Sequence, residues 1–231
     1  MIQARLALVL VVVHALACGG EPAGPVAAPK SAEPAATAPA AAAAAPTESA
    51  AGAAIGAPAP DFSLPDVDGV THTLAEHRGK VVVLEWFNPE CPFVNHAHTA
   101  GELKSMAGKM IPEGIVWLAI NSSAPGKQGH GVEANRAGAA KFGLGHPILL
   151  DESGEVGRRY GAVKTPHMFV IDGAGALVYR GAIDNAPMGE IRDGAPTVRN
   201  HVADALSDLA AGRPVASAET AAYGCSVKYA K

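Results

Sequence analysis

The chain has 231 residues, 48% hydrophobic and 17% charged, with a net charge of −4. Its 18 basic and 22 acidic side chains are dispersed, with no basic block and no aromatic-basic interleaving, so no nucleic-acid partner is expected. The length allows one or two domains, and alanine concentrated in one stretch makes the core smaller than the apolar fraction suggests.

Residues 1–18 read as a signal peptide. One positive charge in Met1–Arg5 precedes Leu6–Ala17, which is apolar apart from His14. That run is too short for a typical membrane span and suits the core of a signal peptide. It ends in Ala15-Leu16-Ala17-Cys18-Gly19, which resembles a bacterial lipobox. The resemblance implies a lipid on Cys18, the only membrane attachment expected; an ordinary cleaved signal with an incidental cysteine is the alternative. Either way the chain is exported to the periplasm or cell envelope, where disulfides persist. Residues 19–60 follow as a disordered tether. In "AATAPAAAAAAPTESAAGAAIGAPAP" the one large apolar residue is Ile55, too little burial to offset the entropy of ordering.

Residues 61–231 have the size of one domain. Val81–Phe87 is a nearly continuous apolar run, as in a strand buried on both faces, and Gly114–Asn121 and His146–Asp151 look similar. Helices are predicted at Pro92–Met110, Val132–Phe142, Glu155–Tyr160 and Thr197–Ala211. Pro166–Asp184 reads as a hairpin turning at Asp172–Gly175. Strands alternating with helices and ending in a hairpin and a helix predict an α/β domain: a central mixed β-sheet flanked by helices.

The chemistry concentrates in "EWFNPECPFVNHAH", Glu85–His98. Cys91 stands where a strand gives way to a helix. A helix N-terminus stabilises a thiolate through its dipole and free N–H groups, and Pro92 suits the first helical position. Trp86 and Phe87 are expected to form an apolar rim. A buried structural cysteine is the competing reading.

The segment Ala59–Phe93, "APDFSLPDVDGVTHTLAEHRGKVVVLEWFNPECPF", resembles the opening of the redoxin, or AhpC/TSA-like, branch of the thioredoxin superfamily. "VKTPHMFVIDGAGALVYRGAIDN", Val163–Asn185, is similar to that family's second half, and the resemblance extends to about Gly212. It implies a thioredoxin-like fold and a thiol-dependent oxidoreductase or antioxidant redoxin without a cofactor. The implied partners are a thiol or disulfide protein substrate with an envelope electron donor, or a peroxide. Cys91 becomes the redox nucleophile. Glu85 matches a buried carboxylate that accepts protons, with a pKa raised by burial; a Glu85 facing solvent or a polar pocket is the alternative. Thr165-Pro166 matches a cis-proline element whose backbone pairs with an extended substrate, and Trp86 and Pro92 complete the implied substrate site.

The departures matter as much. Leu84 and Asn88 stand where peroxiredoxins have proline and the threonine that polarises peroxide, and Val94 replaces the second cysteine of Cys-x-x-Cys. The tail "YGCSVKY", Tyr223–Tyr229, is similar to the Gly-Cys-Ser-apolar-Lys ending of some redoxins, which implies Cys225 as a distant partner for Cys91. On that reading the chain turns after Gly212 and Pro214 and crosses toward Cys91. Gly224 allows close approach, and Tyr223, Val227 and Tyr229 anchor the tail. A solitary tail cysteine is the alternative.

Copper-handling relatives of thioredoxin direct attention to His96 and His98. About two helical turns would separate Cys91 from His98, too far for one mononuclear site, so no metal site is assigned and a solvated polar helix face is expected. The placement of His167 is left open. Two further functions remain beside the oxidoreductase: a non-catalytic module holding peptides at Thr165-Pro166, and a copper-handling protein.

Overall fold

The computed structural model describes residues 52–231. The predicted signal peptide, Cys18 and most of the predicted tether lie outside the described residues. A small hairpin, β1 (Ser63–Pro65) and β2 (Thr71–Thr73), leads into the main sheet. That sheet contains β3 (Val82–Trp86), β4 (Val116–Asn121), β5 (Ile148–Leu150), β7 (His167–Ile171) and β8 (Leu177–Gly181), in the order β5-β4-β3-β7-β8. β3, β4 and β5 run parallel, and β7 and β8 are antiparallel to their neighbours. Parallel pairing requires crossovers, and helices supply them. α1 (Pro92–Thr99) and α2 (Met106–Met110) join β3 to β4, and α3 (Val132–Phe142) joins β4 to β5. α4 (Glu155–Tyr160) follows β5, and α5 (His201–Ala210) follows the β7–β8 hairpin.

The two-residue period of a strand sorts the core into two layers. Val82, Leu84 and Trp86 face one side with Leu118, Ile120, Phe169 and Tyr160. Val83 faces the other with Trp117, Val170, Ala97 of α1 and Val202 and Leu206 of α5. A strand whose neighbours are buried on both faces has nowhere for an alternating polar residue, which is why β3 reads as an apolar run broken only by Glu85.

Three expectations need correction. The single helix expected over Pro92–Met110 is two, separated at Gly101. The N–H groups of Ala100 and Gly101 both donate to the His96 carbonyl, and a Cβ on Gly101 would stand 2.9 Å from the Cα of Ala97. α5 starts at His201 rather than Thr197, because Asn200 caps it by accepting the Ala203 N–H at 2.9 Å. Residues 52–60, assigned to the tether by composition, carry core contacts. Ala53 and Ala59 are buried, and Gly56 and Ala57 exchange backbone hydrogen bonds with Leu177 of β8. β8 is an edge strand of the main sheet, and its unpaired backbone groups give this stretch a seat that composition does not reveal.

Two short strands lie outside the main sheet. β6 (Lys164–Thr165) pairs antiparallel with β9 (Cys225–Ser226), with Lys164 opposite Ser226 and Thr165 opposite Cys225.

Candidate active site

The turn before α1 is set by Asn88. Its side chain accepts the Glu90 N–H at 2.9 Å and donates to the Gln128 carbonyl at 3.0 Å, while its own carbonyl accepts the Cys91 N–H. Cys91 is thereby delivered in an extended conformation as the N-cap of α1, with Pro92 as the first helical residue. The thiol is fully buried among Phe87, Val94, Ala119 and Ile148. It donates to the Thr165 carbonyl at 3.0 Å. The Thr165-Pro166 bond is cis, and both residues are buried.

Cys225 is the second sulfur of the site. It stands opposite Thr165 across the β6–β9 ladder, partly exposed, at the margin of the cluster around Cys91. Both cysteines are free thiols. Close approach is possible because Gly224 has φ 119° and no side chain: a Cβ there would stand 2.2 Å from the Thr165 carbonyl oxygen. Further contacts fasten the tail. Thr220 bonds through its backbone to Arg180, Tyr223 donates to Asp184 at 2.8 Å, and the Val227 N–H donates to the Val163 carbonyl. Tyr229 donates to the Ala162 carbonyl at 2.8 Å and packs where Gly154 and Gly157 leave room. Arg158 lies over the Tyr229 ring at 4.6 Å.

The two thiols differ electrostatically. Burial alone would raise the pKa of Cys91. Hydrogen bonds from the Cys225 thiol, the Val94 N–H and Thr165 outweigh it and bring the pKa below the ordinary thiol value. The Thr165 hydroxyl has no other partner among the described residues. Cys225 moves the opposite way, pushed up to about 11 by burial, by its hydrogen bond to Cys91 and by the negative charge of that sulfur; Lys228 and Lys164 oppose the rise.

Glu85 departs from its expected role. It is fully buried, but its carboxylate accepts from His98 Nε2 at 2.7 Å and from Trp117 Nε1 at 3.3 Å. Burial would raise its pKa; the charge and hydrogen bond of His98, with His146 and Trp117 adding to them, hold it below the usual carboxylate value instead. The expected raised pKa is therefore reversed. Glu85's hydrogen-bond partners and those of Cys91 have no member in common among the described residues.

His98 is likewise not on a solvated face. It is buried, stacked on Phe142 with ring centroids 5.2 Å apart, because a carboxylate in the core draws it inward. His96, on the same helix, is half-buried. His146, beside this pair, is pushed down to about 4 by burial.

Trp86 is not a rim residue. Strand alternation places it in the core beside Tyr160 and Phe169, 0% exposed, with Nε1 donating to Ser122 at 3.0 Å. It cannot touch a substrate. Pro92 is exposed next to Cys91. His167 packs at a tilt against Phe169, ring centroids 4.5 Å apart, and accepts weakly from the Val163 N–H; burial, with Arg180 adding to it, pushes its pKa down to about 4. Among the described residues no group of three His, Cys, Asp or Glu side chains is arranged to hold a metal ion. The backbone edge at Thr165 that an extended peptide would use is taken by β9.

A model of the AhpC/TSA family matches residues 55–180. The thiol-disulfide oxidoreductase ResA of Geobacillus thermodenitrificans is 35% identical over 123 residues, which cover 53% of this chain and 66% of ResA, just under two thirds of its length. Two solved structures resemble most of the chain. A hypothetical protein of Sinorhizobium meliloti is 31% identical with a TM-score of 0.66, over 77% of this chain and 95% of that one. An uncharacterized conserved protein of Geobacillus kaustophilus is 31% identical with a TM-score of 0.68, over 77% and 93%.

Proposed function

We propose that this chain, which belongs to the AhpC/TSA family, is a thiol-disulfide oxidoreductase in which Cys91 and Cys225 form one redox pair. The observation that carries the reading is the β6–β9 ladder, which sets Cys225 opposite the residue whose carbonyl binds Cys91. Directly opposed residues of an antiparallel pair have Cα atoms about 4.5–5.5 Å apart, so the ladder delivers the tail sulfur to the immediate surroundings of the Cys91 thiol. Oxidation joins the two sulfurs with loss of two electrons and two protons, and reduction by a dithiol returns them. The similarity to ResA supports this class of reaction, with thiols and disulfides of other proteins as partners.

The test is peptide mass mapping of the full chain equilibrated in glutathione redox buffers. The expected product is a single Cys91–Cys225 disulfide, reducible above about −300 mV as a labile rather than structural bond. Alkylation of reduced protein with a small reagent should show Cys91 titrating below the ordinary thiol value of about 8.5. An oxidised protein carrying glutathione on Cys91 while Cys225 stays free would refute the pair.

We further propose that the protein acts in the cell envelope, held by a lipid on Cys18 with the alanine- and proline-rich segment as spacer. The support is the apolar run that ends in Ala-Leu-Ala-Cys-Gly. The intact mass of protein made in a bacterial host should show lipidated Cys18 as the first residue; an unlipidated chain starting downstream would reject the anchor.

A further inference from the structure

We propose, resting on the redox pairing above, that Cys225 is the outward sulfur of the centre: an external thiol opens the disulfide at Cys225, and Cys91 departs as the leaving group. Access is the first reason. Cys91 is 0% exposed, enclosed by Phe87, Val94, Ala119 and Ile148, with Thr165 and β9 over it. Cys225 is partly exposed at the margin of that cluster. Exchange at a disulfide requires the incoming sulfur to line up behind the sulfur it attacks, opposite the leaving one. Cys91 is buried within the apolar cluster, whereas Cys225 is partly open to solvent.

Sulfur chemistry favours the same direction. The better leaving thiol is the one with the lower pKa. Opening at Cys225 releases Cys91, whose thiolate is met by the Val94 N–H and Thr165. Opening at Cys91 would release Cys225, whose thiolate burial disfavours. Lys164 and Lys228 stand near Cys225 and favour negative charge there, as an attacking thiolate requires.

The steps balance for a dithiol reductant. Its first thiolate forms a bond to the Cys225 sulfur, the Cys225–Cys91 bond breaks, and the electron pair leaves on Cys91. Its second thiolate then attacks the reductant's own first sulfur. The mixed disulfide breaks and Cys225 leaves as a thiolate. The two thiolates formed on the protein take up the two protons the dithiol gave up, so the reductant becomes a disulfide and the protein gains two electrons and two protons.

The experiment uses oxidised full-length protein and glutathione, a monothiol that cannot complete the second step. Early acid quenching, alkylation of free thiols and peptide mapping then locate the first adduct. Glutathione is expected on Cys225 with the alkyl label on Cys91, in excess over the opposite arrangement by about tenfold or more. Equal or reversed adducts would overturn the outward role of Cys225 and leave the pair intact. Absence of any Cys91–Cys225 disulfide in the starting material would overturn the pairing, and this proposal with it.

Discussion

Replacement of Cys91 by serine is expected to reduce thiol–disulfide exchange by three orders of magnitude or more, roughly to the uncatalysed background. A serine hydroxyl ionises far outside the physiological range and forms no disulfide. The remaining Cys225 would have no partner with which to store two electrons. The fold should survive, because serine is close in size and its hydroxyl can donate to the Thr165 carbonyl in place of the thiol. The measurement is the steady-state reduction of a model disulfide, with circular dichroism and urea unfolding as controls. A Cys91→Ser protein that folds and keeps a tenth of wild-type activity would remove Cys91 from the redox centre.

His98→Leu is expected to cost stability on the order of 3–5 kcal/mol, because it strands a carboxylate in the core. Glu85 is 0% exposed, and without His98 it keeps only the 3.3 Å bond from Trp117. Replacing both members, Glu85→Leu with His98→Leu, should recover most of the loss, since a buried ion pair and a well-packed apolar pair are often of similar worth. Urea unfolding at pH 7 reads this as a midpoint shift at constant slope. The pH dependence has a definite sign. Glu85 has a folded pKa below its unfolded value, which is about 4.3 for a free glutamate. Its contribution is therefore complete above that value and is lost as pH falls through the folded value. The advantage of wild type over the His98→Leu variant should shrink on acidification from pH 5 downward. A difference unchanged from pH 7 to pH 3 would mean that the carboxylate is not ionised in the native core.

Periodicity carried much of the fold. β3 was legible as an apolar run, and the bounds of α3 and α4 could be read from pattern and flanking glycines. Where the reading failed, a tertiary partner decided. Trp86 beside a cysteine resembles a rim residue until strand alternation is counted, which places it on the side of Leu84. Glu85 and His98 are 13 positions apart on different elements, and no local pattern announces their contact. One signal was available: a glutamate inside an otherwise apolar strand needs a partner, and the histidines of α1 were the nearest candidates. β6 and β9 have two residues each, too few to show any period, so the ladder that brings Cys225 beside Thr165 was visible only through likeness of the tail to other redoxins.

The lateness of β9 in the chain has a consequence for biosynthesis. More than half of the sequence separates Cys91 from Cys225. A polypeptide emerging N-terminus first presents β3, α1 and the Lys164–Thr165 edge well before residues 219–229 arrive to cover them. During that interval Cys91 lies beside an unpaired strand edge, without β9 opposite Thr165. The cover over Cys91 is therefore completed only once residues 219–229 have been made and have docked.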